Sequence, residues 1–216
     1  MEKVFRIAID GPSGAGKSTI AKAIAKKMNI DYIDTGAMYR AIGYKIIQEK
    51  IDDRDLDKLQ KMLDNTSIDF SKGDVILDGE IVSQYIRTPE ISMKASTCSA
   101  IGIVREKLVD LQRKMGQTKS VIMDGRDIGT NVLTDAEYKF FLTASAEERA
   151  NRRYKELIEK GQTVEYQDIL KDIIERDHND TTRKINPLKK ADDAIEVDTT
   201  GMSEDEVINF LYKEIK

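Results

Sequence analysis

Residues Gly11-Pro12-Ser13-Gly14-Ala15-Gly16-Lys17-Ser18 fit G-x-x-x-x-G-K-[ST], and the fold is decided by how this stretch is read. An apolar run, Val4-Phe5-Arg6-Ile7-Ala8-Ile9, precedes it, and Ile20, Ala23, Ile24, Ala25 and Met28 follow at helical spacing. Strand, glycine turn and helix is the setting in which such a stretch cradles phosphate. Glycines let backbone N–H groups converge on an anion, and a helix N-terminus adds about half a positive charge. Gly11, Pro12, Ser13, Gly14, Ala15, Gly16, Lys17, Ser18 and Thr19 are therefore expected to hold a nucleoside triphosphate. Lys17 would reach the terminal phosphates, and the Ser18 hydroxyl would ligate Mg²⁺.

Working outward, Ile30 to Asp34 reads as a short strand ended by Thr35-Gly36. A helix follows with Met38, Ala41, Ile42, Ile46 and Ile47 on one face, then a short helix from Asp55 to about Leu63. Residues 67–84 change character to short strands, with Asp78-Gly79 as a hairpin signal. From Pro89 to Met115 the pattern is helical with a break near Gly102. Ser120 to Met123 and Tyr138 to Thr143 are further strands. Ser145-Ala146-Glu147-Glu148 reads as a capping box opening a helix to about Lys160, and another helix runs from about Tyr166 to His178. Ala194 to Val197 is a last strand, and Ser203-Glu204-Asp205-Glu206 caps the terminal helix. Five strands alternating with helices predict a doubly wound parallel α/β sheet, with a β-rich insertion at 66–85 and a helical segment outside it.

The chain has 216 residues, a net charge of −4 and 34% charged side chains, so an anionic ligand must be drawn in by local cations rather than by the whole molecule. Neither a nucleic-acid nor a membrane partner is expected from that balance. Cys98 is the only cysteine, which excludes an internal disulfide and suits a reducing compartment. No signal peptide is read before the first strand, and a cytoplasmic address is expected.

The phosphate loop leaves the reaction open. A GTPase should carry Asn-Lys-x-Asp, which is absent, and Asp198-Thr199-Thr200-Gly201 matches D-x-x-G in the wrong order. The arginines say more. Arg126 follows a strand end, where ligand loops of parallel sheets lie; Arg40 follows the second strand; Arg149, Arg152 and Arg153 share one helix; Arg176 and Arg183 bracket a polar run. A kinase of a hydroxyl group needs a carboxylate base, and Asp34 ends a strand where one could stand. A kinase of a monophosphate needs instead cations that hold two anions in line, which the many arginines fit better.

Asp10-Gly11-Pro12-Ser13-Gly14-Ala15-Gly16-Lys17-Ser18, Asp34-Thr35-Gly36-Ala37-Met38-Tyr39-Arg40 and Asp124-Gly125-Arg126-Asp127-Ile128-Gly129-Thr130 together resemble bacterial cytidylate kinases. Ile86-Arg87-Thr88, Val104-Arg105-Glu106 and Glu175-Arg176-Asp177 match as well, so the resemblance covers almost the whole chain. It implies transfer from ATP to CMP, and to dCMP, with Mg²⁺. It implies that Arg40, Arg126 and Arg183 hold the CMP phosphate beside Thr35. Asp127, Ser96 and Arg105 would meet the base, and Arg176 and Asp180 the sugar. Lys17, Arg126 and Arg183 would be the catalytic cations. The implied partition is a core at about 1–35, 118–145 and 190–216, a monophosphate-binding region at 36–117, and a lid at 146–189 whose Arg149, Arg152 and Arg153 contact ATP. A monomer is expected. Some members of the family carry glycine where this chain has Ser18, and serine where it has Thr35.

Overall fold

The computed structural model describes residues 4–71 and 73–215. The chain forms two compact units, Met1–Tyr32 with Lys119–Lys216, and Ile33–Thr118. The principal sheet has five strands: β1 (Arg6–Asp10), β2 (Asp31–Asp34), β6 (Val121–Gly125), β7 (Tyr138–Thr143) and β8 (Ile195–Asp198), in the spatial order β2-β6-β1-β7-β8. β1 runs parallel to β6, with Ile9 opposite Asp124, and parallel to β7, with Asp10 opposite Phe141. Thus the carboxyl ends of the central strands, Asp10 and Asp124-Gly125, lie side by side.

In the first unit, α1 (Lys17–Met28) and α8 (Glu204–Ile215) cover one sheet face. Ile7 and Ile9 of β1, Phe140 and Leu142 of β7, Ile20 and Ile24 of α1, and Val207 and Leu211 of α8 close a dry cluster there. Each fully buried aliphatic or aromatic side chain contributes about 1.5–3 kcal/mol of transfer free energy, so this cluster is what holds the phosphate loop's strand and helix in place. The capping box of α8 is reciprocal: Ser203 Oγ accepts from Glu206 N, and Glu206 accepts from Ser203 N. The predicted box of α6 (Ala146–Glu159) is only half made. Ser145 Oγ accepts from Glu148 N, but the Glu148 carboxylate turns to Arg152 instead of back to the cap. α6 packs against α7 (Tyr166–Thr182) through Ala150, Leu157, Ile169 and Ile173.

α7 extends a full turn beyond the expected end at His178. The polar residues there carry no apolar periodicity. They are held by Thr181 and Thr182 hydroxyls donating to the Asp177 and His178 carbonyls, and by the Arg126–Asp180 ion pair. Helical spacing consequently puts Arg176, Asp180 and Arg183 on one face. A second departure is the wide helical turn Ile128–Val132, which the sequence reading did not anticipate.

In the second unit, α2 (Thr35–Gln48) starts directly at Thr35, so Thr35-Gly36 opens the helix rather than separating it from β2. α3 (Leu56–Asp64) follows, capped by Asp55. β3 (Ile68–Ser71), β4 (Asp74–Leu77) and β5 (Glu80–Ile81) form an antiparallel three-stranded sheet, turned at Asp78-Gly79, both of which have positive φ. α4 (Pro89–Cys98) and α5 (Gly102–Thr118) are separate helices, as the break near Gly102 predicted. Met38, Ile42 and Ile46 of α2, Cys98 of α4, and Val104 and Leu108 of α5 are buried. Burial pushes the Cys98 thiol up to about 12. No helix among the described residues is long and apolar enough to cross a membrane.

Candidate active site

The loop between β1 and α1 is shaped for an anion. Gly11 has φ +147°, and a Cβ there would stand 2.0 Å from the Leu142 carbonyl oxygen, so only glycine fits between the two strand ends. Gly16 caps α1 in the left-handed region, with no side-chain cap and no acidic residue in the first turn. Gly16 thus offers the first N–H groups of α1 no side-chain cap, and they carry the positive end of the helix dipole. Lys17 is buried and donates to the Pro12 carbonyl at 2.7 Å. Burial and the nearby Arg126 cation push its pKa well below the ordinary lysine value, against the pull of Asp124, Asp180 and Asp10.

Ser18 Oγ donates to Asp124 Oδ2 at 2.8 Å, and Tyr32 donates its hydroxyl to Asp124 Oδ1 at 2.8 Å. Asp124, buried at the end of β6, was missed as a site residue. Its signal was available: a carboxylate closing the apolar run Val121-Ile122-Met123 on a strand that pairs with β1. A hydroxyl and a carboxylate at the head of a phosphate loop are hard oxygen donors, and they fit Mg²⁺.

Asp10 was likewise outside the expected site. Its two oxygens accept from Ile128 N at 2.8 Å and Gly129 N at 2.7 Å, which anchors the wide turn behind Asp127. Burial pushes the Asp10 carboxyl up to about 6 against the pull of those two donors.

Four of the expected acceptor residues meet in the first unit. Arg126 donates to Asp180 at 2.6 Å, and Arg183 donates to Asp127 at 3.2 Å and lies 4.0 Å from Asp180. Arg183 also donates Nε–H to the Asn186 carbonyl, and Asn131 donates to the second oxygen of Asp127. Burial alone would disfavour both ionised forms; instead each partner offsets it, so Arg126 is raised and Asp180 is held below the usual carboxylate range. Arg176 stands one helical turn before Asp180 and contributes to that field.

The α6 arginines differ from one another. Arg149 is buried, donates to the Ser13 carbonyl of the loop at 2.9 Å, and grips Asp177 with two hydrogen bonds. Arg152 donates to the Thr199 carbonyl at 2.7 Å and to Glu148. Arg153 pairs with Glu156 on an exposed face.

In the second unit, Asp34 caps α2 by accepting from Ala37 N at 2.8 Å, and its other oxygen accepts from Arg40 at 3.0 Å. A carboxylate so engaged is not placed as a free general base. Arg40 Nε is buried without a hydrogen-bond partner among the described residues, and so is Ser96 Oγ on α4. Arg105 is 2% exposed, donates to the Ser99 carbonyl at 2.9 Å, and lies 5.4 Å from the Tyr39 ring centre. Thr35 is buried in the first turn of α2.

A parallel sheet with a phosphate loop after β1, and a hydroxyl–carboxylate pair at its head, defines a protein of the P-loop nucleotide-binding fold. Solved structures support the fold: an uncharacterised protein from Eubacterium ventriosum aligns with TM-score 0.53 at 15% identity over 99% of this chain and 98% of that one. Shikimate kinase from Bacteroides thetaiotaomicron aligns with TM-score 0.50 at 14% identity over 98% of each chain. The family described as Cytidylate kinase matches residues 7–216. The cytidylate kinase of Clostridium perfringens is 55% identical over 94% of this chain and 93% of the relative. That of Clostridioides difficile is 50% identical over 97% of each, and that of Caldicellulosiruptor saccharolyticus 54% identical over 95% and 93%. The chain belongs to the cytidylate kinase family.

Proposed function

We infer that the chain transfers the γ-phosphoryl group of ATP to CMP, giving ADP and CDP. The family match across residues 7–216 carries this reading. The bond from the γ-phosphorus to the β,γ-bridging oxygen breaks, a bond to a CMP phosphate oxygen forms, and ADP leaves with the electron pair. CMP is already an anion at neutral pH, so no general base is required; the chemistry rests on alignment and charge neutralisation.

Gly11, Pro12, Ser13, Gly14, Ala15, Gly16, Lys17, Ser18 and Thr19 hold the ATP phosphates. The uncapped start of α1 and the buried Lys17 support that assignment. Mg²⁺ would be the metal, held by the Ser18 and Asp124 oxygens, and it would supply positive charge against the transferred phosphate. Arg149, Arg152 and Arg153 are the ATP-side cations of a lid at about 146–189, whose closure excludes water. Of these, Arg149 is supported by its contact with the loop at Ser13.

Arg40, Arg126 and Arg183 neutralise the CMP phosphate, with Thr35 beside it, and Arg126 and Arg183 act with Lys17 in the transfer. Arg176 and Asp180 take the ribose. Asp127, Ser96 and Arg105 take the base: a carboxylate accepts from the cytosine amine and repels the uracil carbonyl. The unpartnered Ser96 hydroxyl supports a ligand there, since a buried polar group without a partner is costly. The monophosphate-binding region is 36–117 with its insertion at 66–85, and the core is the remainder. dCMP is a further acceptor, and the enzyme works as a cytoplasmic monomer.

The test is ADP release from ATP against CMP, dCMP, UMP, AMP and a set of hydroxylated metabolites. CMP should be the best acceptor, with dCMP used as well. Turnover of UMP equal to that of CMP would overturn the base assignment. Transfer to a hydroxyl metabolite alone would overturn the reaction.

A further inference from the structure

The Asp124 carboxylate is held from both sides. Ser18 Oγ donates to Oδ2 and Tyr32 donates its hydroxyl to Oδ1, each at 2.8 Å. Two donors on two oxygens fix both the rotation and the plane of the group. Tyr32 is itself braced: its ring packs on the core cluster under the sheet, and Lys22 Nζ lies 5.6 Å from the ring centre. The phenol therefore reaches Asp124 from a rigid strand, whereas Ser18 reaches it from the first turn of α1.

We propose that Tyr32 is a positioning residue for the metal of the phosphate-transfer site, acting through Asp124. This rests on the reading of Ser18 and Asp124 as the metal's protein oxygens. Once an oxygen lone pair of Ser18 turns to a cation, its hydroxyl proton needs an acceptor opposite, and Asp124 Oδ2 is in place to be that acceptor. The Tyr32 hydroxyl keeps it there. Losing this donor removes one of the bonds that set the rotation and plane of Asp124, loosens the hold of Oδ2 on the Ser18 proton, and weakens the geometry that favours the cation. Partners that orient a ligand in this way typically alter metal affinity 10–100-fold.

Tyr32→Phe keeps the ring and its packing and removes only the donor. The measurement is Mn²⁺ binding to the full chain with saturating ADP, read by electron paramagnetic resonance, beside a thermal scan. Expected is a roughly tenfold weaker Mn²⁺ Kd. The Mg²⁺ concentration for half-maximal rate should rise by a similar factor, with the KM for CMP unchanged and the rate restored at high Mg²⁺. Tyr32→Leu, which fills the core without a donor, should give the same Mn²⁺ shift. A hydroxyl that serves stability alone would lower the thermal midpoint and leave the Mn²⁺ Kd unchanged; that result overturns the proposal. No acceptor is present in the binding experiment, so an error about CMP does not affect it. Failure of the unsubstituted chain to bind Mn²⁺ with ADP would overturn the metal reading and this proposal together, whereas an unchanged Kd in Tyr32→Phe overturns the positioning role alone.

Discussion

Arg126 Nε donates to Asp180 Oδ2 at 2.6 Å, tying the residue after β6 to the last turns of α7 across 54 positions of chain. Their side chains are only 19% and 9% exposed. The proposed roles give the cation to a phosphate and the carboxylate to a ribose. On those roles each would hold the place of the other's ligand until CMP arrives, and binding would be an exchange of partners rather than the filling of an empty charge.

Asp180→Asn leaves the largely buried Arg126 without its hydrogen-bonded counter-charge. Breaking such a pair costs about 2–3 kcal/mol after discounting for the exposed part of Arg126, or roughly 5–10 °C in a chain of this size. Millimolar inorganic phosphate should recover more of that loss in the variant than it adds to the unsubstituted protein. Equal phosphate shifts in thermal scans of the two would contradict the exchange.

Lys17 carries a linkage of definite sign. Its folded pKa lies below the ordinary value, so between the two the unfolded chain binds more protons and stability rises with pH through that window. A triphosphate meeting Lys17 as proposed would restore the cation, so ATP binding above the depressed pKa should take up a proton and weaken by up to about tenfold per pH unit. Calorimetry in two buffers of different protonation enthalpy should show the uptake at pH 8 but not in Lys17→Arg, whose cation does not titrate. Equal apparent enthalpies in both buffers for the unsubstituted protein would refute it.

Ser96→Ala separates binding from folding. The hydroxyl has no partner among the described residues, so its removal should leave the thermal midpoint unchanged or slightly raised. If it meets the base, kcat/KM for CMP should fall about tenfold, matching about 1.4 kcal/mol for one lost hydrogen bond. A variant as active as the parent would remove Ser96 from the site.

Gly11→Ala tests the loop's framework. A methyl group 2.0 Å from the Leu142 carbonyl forces apart two neighbouring strand ends. We expect destabilisation above about 4 kcal/mol in urea unfolding, or no soluble protein. A loss below about 1 kcal/mol would mean that β1 and β7 can separate at this end.

The sequence predicted those parts of the fold that rest on local chemistry. Gly11 to Ser18, the Asp78-Gly79 turn and the break before Gly102 announce themselves through residue types that few other conformations demand. What escaped prediction depends on partners far along the chain. The turn at Ile128–Val132 is held by Asp10 from 118 and 119 residues away. The last turn of α7 looks like loop because its residues are polar, yet Arg126 and its own threonines keep it helical. The arginines and their carboxylates Asp34, Asp127 and Asp180 could be named from sequence, but not that they pair with one another. Asp34, read as a possible base, is a helix cap bound to Arg40.

Cys98 offers a consequence of a different kind. It is the only thiol in the chain, it is sealed inside the second unit, and its proton is held to about 12. A maleimide can then react only during moments when the packing around Cys98 opens. The protein thus carries a built-in clock for local opening around α4, and the labelling rate with and without CMP would time it.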